Sequence, residues 1–269
     1  MRFAIIENSR VEARSGLKGT CPACNQLVIA RCGKIRVHHW SHQREKMCDK
    51  WWENETEWHR SWKNNYPEDY QEISLLDQET GERHFADVKT EHRLVIEFQH
   101  SPIHYEERMS REKFYGNMVW VVDGSRLKND YKRFAREASN FYGINKGLFK
   151  VNYPEDCFPN SWLESTVPIV FDFQQLGSIA NVNDKGRYLY CLFPIRIGDS
   201  AIIAEIPYQA FIKSTLKGEW SLRMDSFMTK LLEIKKEYHE RQASEEERRH
   251  RSNRSEFTNR YIYKRRRVK

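Results

Sequence analysis

Short apolar runs broken by turn residues dominate the first half of the chain. Residues 70–76, 83–90 and 94–100 read as strands, and Pro102 closes the third. Trp51 to Asn65 reads as a helix that stops before Pro67, and His104 to Gly116, rich in Glu, Arg and Lys, as another. Met118-Val119-Trp120-Val121-Val122 reads as a buried strand ended by Asp123-Gly124. Helix, three strands, helix, strand predicts a mixed sheet flanked by helices, an α+β arrangement. Residues 1–40 read as short strands and turns. After residue 150 the texture changes. Pro154, Pro159 and Pro168 interrupt the chain, strand-like runs follow at 169–173, 188–193 and 201–206, and a charged helix covers 219–250. Three regions are expected: 1–50, 51–150 and a β-rich and helical 151–269.

Two acids stand in adjacent predicted strands: Asp87 in His84-Phe85-Ala86-Asp87-Val88 and Glu97 in Leu94-Val95-Ile96-Glu97-Phe98-Gln99. Side chains alternate along a strand, so Glu97 and Gln99 share one face. If Glu91, His92 and Arg93 form a three-residue loop, Asp87 lies directly across from Glu97. Opposed Cβ atoms are then about 4.5–5.5 Å apart. A loop one residue longer or shorter would part the acids to opposite faces. Two carboxylates this close in apolar surroundings call for compensation, and a hard cation such as Mg²⁺ or Mn²⁺ supplies it through oxygen ligands. Such a site can activate water and offset charge on a phosphate. The bland alternative is two unrelated acids on a solvated hairpin.

A second cluster lies upstream. Cys21-Pro22-Ala23-Cys24 precedes His38-His39-Trp40-Ser41-His42. Cys21, Cys24, His39 and His42 make a Cys2His2 set suited to structural Zn²⁺. His38 with His42 fits the usual histidine spacing better, and His38 and His39 face opposite ways in an extended run. Cys32 and Cys48 are spare thiols. Between the clusters, Glu55, His59 and Lys63 fall four residues apart and form one helical stripe. Trp58 and Trp62 pack that helix onto the sheet.

At 269 residues, 31% of them charged and with mean hydropathy −0.83, the chain has no apolar run near the roughly 20 residues of a membrane span. The N-terminus lacks the pattern of a cleaved signal, so a cytoplasmic protein with reduced cysteines is expected. Net charge is +7. From Lys235 to Lys269 there are 13 basic and 6 acidic residues, so the whole excess sits in the tail. That tail, ending in Lys264-Arg265-Arg266-Arg267 and Lys269, reads as an arm for DNA or another polyanion.

In these stretches the chain resembles the competence protein CoiA-like nuclease family. The likeness is carried by Cys21-x2-Cys24 with Gly33 and His39-Trp40-Ser41-His42, by Glu55-Thr56-Glu57-Trp58-His59-x3-Lys63, by His84 to Val88, and by Ile96-Glu97-Phe98-Gln99-x-Ser101-Pro102-Ile103 with Glu107-Arg108 and the strand to Trp120. Order and spacing agree over residues 1–125. The resemblance implies a restriction-endonuclease-like fold of the PD-(D/E)XK class behind a zinc-binding-like segment, and DNA processing in natural transformation or recombination. By position, Asp87 and Glu97 would be metal ligands, and Glu57, His59 and Lys63 helix-borne contributors. Gln99 would stand where that class has lysine. An uncharged Gln99 can orient water but cannot supply positive charge, so Lys63 or Lys89 would have to, with His59 as an alternative base. The expected function is a metal-dependent deoxyribonuclease acting on DNA, single strands included, with recombination or uptake proteins as partners of the tail. The rivals are a non-catalytic DNA-binding mediator, a nuclease of defence against foreign DNA, and a zinc-stabilised adaptor.

Overall fold

The computed structural model describes residues 1–43, 48–174, 177–181 and 183–266. β1 (Phe3–Ile6), β2 (Ser9–Glu12), β3 (Lys18–Thr20), β4 (Leu27–Arg31) and β5 (His39–His42) form an antiparallel sheet in the order β2-β1-β3-β4-β5. Helix α1 (Glu57–Lys63) leads to the meander β6 (Gln71–Leu76), β7 (Arg83–Lys89) and β8 (Val95–Gln99). Helix α2 (Tyr105–Tyr115) crosses over to β9 (Met118–Asp123), parallel to β8. Then come α3 (Lys128–Glu137), the hairpin β10 (Tyr142–Asn145) and β11 (Leu148–Val151), the single turn α4 (Asn160–Leu163), and β12 (Ile169–Asp172), parallel to β9. β13 (Tyr188–Ile197), β14 (Ser200–Pro207), α5 (Tyr208–Leu216) and α6 (Glu219–Arg266) complete the chain. The second sheet runs β10-β11-β14-β13-β12-β9-β8-β7-β6, nine strands of mixed direction. The molecule is thus mixed α+β, as the pattern predicts.

Because β12 pairs with β9, the strands on either side of residue 150 share one sheet. Its two faces carry separate cores. Trp120, Phe134, Phe158, Phe171 and Tyr190 pack on one, and Trp62, Phe98, Val121, Phe211 and Trp220 on the other. Among the described residues no helix is long and apolar enough to cross a membrane. Of the basic run, Arg267 and Lys269 lie outside the described residues, and Lys264, Arg265 and Arg266 are described only as helix backbone.

The helix expected over 51–65 is shorter, and a capping box explains its start. The Thr56 hydroxyl accepts the His59 N–H (3.4 Å), while His59 Nδ1 accepts the Thr56 N–H (3.2 Å). The preceding residues are irregular, with the Asp49 carboxylate accepting the Trp51 N–H (2.9 Å).

Asp172, at the end of β12, holds α1 in place. Its Oδ2 accepts from the indoles of Trp58 (3.2 Å) and Trp62 (3.0 Å) and from Arg187 (2.6 Å). The carboxylate is fully buried. Removing it strands two indole donors and an arginine, and breaking a buried ion pair costs roughly 3–5 kcal/mol. Since Arg187 is 37% exposed, Asp172→Ala is expected to destabilise by about 3 kcal/mol in urea unfolding. A change well under 1 kcal/mol would show that α1 is held by packing alone.

Candidate active site and metal centre

The β7–β8 hairpin has the register the sequence requires. Val88 pairs with Ile96 and Lys89 with Val95. The Thr90 N–H donates to Leu94 O (2.9 Å), and the Arg93 N–H to Thr90 O (3.0 Å), leaving Glu91, His92 and Arg93 as the loop. Arg93 takes φ 62°, the left-handed residue that closes such loops. One step along this register, Asp87 opposes Glu97. There the carboxylates bond the opposite strand's backbone: the Asp87 N–H donates to Glu97 Oε1 (3.1 Å), and the Phe98 N–H to Asp87 Oδ2 (3.0 Å).

A third acid joins this row. Gln71 pairs with Val88 and Ile73 with Ala86, so Glu72 of β6 opposes Asp87. Glu72 has φ 48°, and its carboxylate accepts the Arg2 N–H at 2.7 Å. Glu72, Asp87 and Glu97 therefore sit side by side on three neighbouring strands. Into this row α1 delivers Lys63, 3% exposed, with Nζ 2.9 Å from Glu55, 3.1 Å from Glu72 and 3.4 Å from Asp87. Burial alone would lower the Lys63 pKa; Glu72, Asp87 and Glu55 outweigh it and raise it. Burial likewise works against Glu55, yet Lys63 and Arg60 bring its carboxyl down to about 2. Glu97 goes the other way. Burial, then the charge of Asp87, push it up to about 8, although Arg111 Nη1 lies 3.0 Å away.

These groups line one cavity of about 60 Å³, with Glu53, His59 and Arg111 also in its wall. Of the residues expected at a site, Asp87, Glu97, His59 and Lys63 come together. Glu57 does not. It is exposed in the first turn of α1, and Glu55, just before the cap, points inward instead. Gln99 lies behind the wall: its amide donates to Glu53 (2.9 Å) and to Ser101 O (2.9 Å), which uses both its hydrogens. Lys89 is not in the wall, so among the described residues Lys63 is the lysine at the acids. His59 is a poor base. Its Nδ1 accepts the Thr56 N–H, so the neutral ring carries its hydrogen on Nε2, and burial lowers its pKa.

The upstream cluster forms with one ligand changed. Cys21, Cys24, His42 and Cys48 bring ligand atoms within 4.8 Å of one another, and all four could hold one metal ion. Cys24 Sγ is 3.3 Å and Cys48 Sγ 3.6 Å from His42 Nε2, and Cys21 Sγ is 3.6 Å from Cys48 Sγ. His39, expected as a ligand, instead bonds Val37 O through Nδ1 (2.8 Å). It lies three residues from His42 on β5, and residues three apart in a strand face opposite ways. Cys48 takes its place, so the set is Cys3His, which suits a structural metal such as zinc.

Residues 7–50 match the family described as Competence protein CoiA, N-terminal domain. All four clustered ligands lie within that stretch. The match supports a CoiA-like competence protein. No curated protein and no solved structure matches the chain.

Sequence reasoning passed over Glu72, Glu53 and Arg111. Glu72 would have emerged from carrying the register one strand further. Glu53 and Arg111 gave no signal, since one sits in an irregular segment and the other on an ordinary charged helix.

Two outcomes follow from this geometry. Fresh protein should carry one zinc ion, lost in Cys48→Ser and in the Cys21→Ser/Cys24→Ser double variant but kept in His39→Ala; metal analysis that finds zinc lost in His39→Ala would refute the assigned set. Glu97 also makes metal-free stability depend on pH. Its folded pKa of about 8 exceeds the unfolded value near 4.3, so the native state binds the extra proton between them. Stability from this group should therefore fall as pH rises from about 4 to 8. Glu97→Gln should abolish that fall in thermal unfolding, and an unchanged pH dependence would contradict the assignment.

Proposed function

We propose that the protein is a metal-dependent deoxyribonuclease acting in competence-related DNA processing. The observation that carries this reading is the row of Glu72, Asp87 and Glu97, buried at Glu97 and open to solvent at Asp87, with Lys63 set against it. Asp87 and Glu97 offer only oxygen donors, which suits Mg²⁺ or Mn²⁺, and their mutual repulsion is what a cation there would relieve. Bound at these two carboxylates, the ion would supply positive charge to a phosphodiester and acidify water. Lys63 adds a permanent positive charge beside Asp87, the function a strand lysine serves in the PD-(D/E)XK class. Arg111 holds Glu97 in orientation, and the His59 Nε2–H faces the cavity as a donor for a phosphate oxygen.

A non-catalytic DNA-binding mediator is the second reading, favoured by the uncharged Gln99, whose amide hydrogens are both taken by Glu53 and Ser101. Lys63 in the cavity favours the active one. A plasmid-nicking assay separates them. With Mg²⁺ or Mn²⁺ the protein should nick, and Asp87→Ala and Glu97→Ala should each abolish nicking while DNA binding persists. Lys63→Met should lower the rate by about 10²–10³, the scale of losing one aligned charge-stabilising group. Binding without nicking by the wild type would leave the mediator; nicking unchanged in Asp87→Ala would move the site elsewhere.

A further inference from the structure

Of the chain's eight tryptophans, seven donate the indole N–H or pack on another aromatic ring. Trp52 does neither among the described residues, and at 36% it is the most exposed of them. It lines the same cavity as Asp87 and Glu97.

The segment that carries Trp52 is irregular but anchored on both sides. Before it, Trp51 stacks on His84 of β7, with ring centroids 3.4 Å apart, and its carbonyl accepts from Arg111 Nη2 (2.6 Å). After it, the Glu53 carboxylate accepts the Ser101 N–H (2.7 Å) and the Gln99 amide (2.9 Å). Trp51 and Glu53 thus tie this backbone to α2 and to the end of β8, the elements that place Arg111 and Glu97. Between two fixed neighbours the Trp52 ring stands at the cavity rim, partly in solvent. Leaving a large aromatic surface in water forgoes the gain of burying it. A ring already held in place keeps that gain for a ligand at little cost in ordering.

The size of the cavity says which ligand. At about 60 Å³ it suits an ion and its water. A benzene-sized ring takes a cavity of about 150 Å³. A nucleotide whose phosphate meets Asp87 and Glu97 therefore keeps its base outside, at the rim where Trp52 stands. Every nucleobase has a π-face, so stacking on an aromatic side chain tolerates any sequence. Inside a duplex both faces of a base are covered by the neighbouring pairs, and an unpaired base is the one that offers a face.

We propose that Trp52 stacks on an unpaired nucleobase of the strand whose phosphate lies at Asp87 and Glu97, so that the site takes unpaired nucleotides more tightly than paired ones. This rests on the cavity being a site for DNA phosphate, which the deoxyribonuclease reading requires.

The test uses the full chain carrying Asp87→Ala, so that bound DNA stays intact. Adding Trp52→Ala should weaken binding of a short oligothymidylate about 5–150-fold, the range of one lost base–aromatic stack, and leave affinity for relaxed closed-circular duplex unchanged. Trp52→Phe, which keeps a ring, should recover part of that loss. Oligothymidylate should also quench the tryptophan fluorescence of the parent, and Trp52→Phe should remove most of the quenching. Undiminished affinity of Trp52→Ala for oligothymidylate overturns the proposal. So does an equal loss on both DNAs, Trp52→Phe binding as weakly as Trp52→Ala, or unchanged quenching in Trp52→Phe. Nicking by the wild type separates this from the nuclease reading. If it nicks and Trp52→Ala keeps its affinity, only the stacking falls. If it does not nick with Mg²⁺ or Mn²⁺ while Trp52→Ala still loses oligothymidylate, the nuclease reading falls and the base contact stands.

Discussion

The region around β6–β8 depends on one electrostatic condition: several buried carboxylates must be matched by buried positive charge. An unpaired ion in a protein interior costs several kcal/mol even after relaxation. Asp49, Glu53, Glu55, Glu72, Asp87 and Glu97 bring more negative charge to one cavity than Lys63, Arg111, Arg60 and the N-terminal ammonium cancel. Glu55 and Glu72 settle their share through Lys63 and the Arg2 N–H. The deficit remains at Asp87 and Glu97, and it is there that Glu97 holds its proton to about pH 8. That shortfall of positive charge is what the cation proposed at these two oxygen donors would relieve.

Every element that meets this condition does so through a local device of ordinary strength. The three-residue loop sets the register that opposes Asp87 and Glu97. The capping box starts α1 at a point that leaves Glu55 free and aims Lys63 at the row. Asp172 then pins the helix through two indoles and Arg187. The region after residue 150 thus reaches the cavity, although none of its described residues lines the wall. Its contribution is the position of α1.

What the sequence disclosed and what it hid divide along physical lines. Strand alternation and loop length are properties of adjacent residues, so the meander and the opposition of Asp87 and Glu97 could be read directly. The start of α1 was misjudged because helix periodicity runs on through Trp51–Glu55, whereas the backbone is decided by Thr56 and His59 bonding each other. The helical stripe already sets Glu55 with His59 and Lys63, as the cavity does; Glu57 rested on the family resemblance alone. The fourth metal ligand was misread because strand parity was not applied to the pair itself: on β5, His39 lies three residues from His42 and so faces the other way. Cys48 and Asp172 act across folds of the chain, and no local pattern marks them.

The Cys3His cluster and the acid cavity share a wall. Cys21 Sγ is 3.7 Å from Met1 Sδ, and Met1 lines the cavity. Arg2, next in the chain, gives its N–H to Glu72 and its guanidinium to Gln71 (2.8 Å) and Asn64 (2.6 Å). Cys48 precedes Asp49, also in the cavity wall, which accepts from His84 (3.0 Å) and the Phe85 N–H (2.8 Å) of β7. A metal at Cys21 and Cys48 would therefore tie together the two backbone segments that buttress Glu72 and the start of β7. Structural metal binding is folding free energy. In this arrangement that energy is applied directly behind the acids, so the N-terminal segment acts as the rear brace of the cavity, and its metal would set how rigidly the carboxylate row is held.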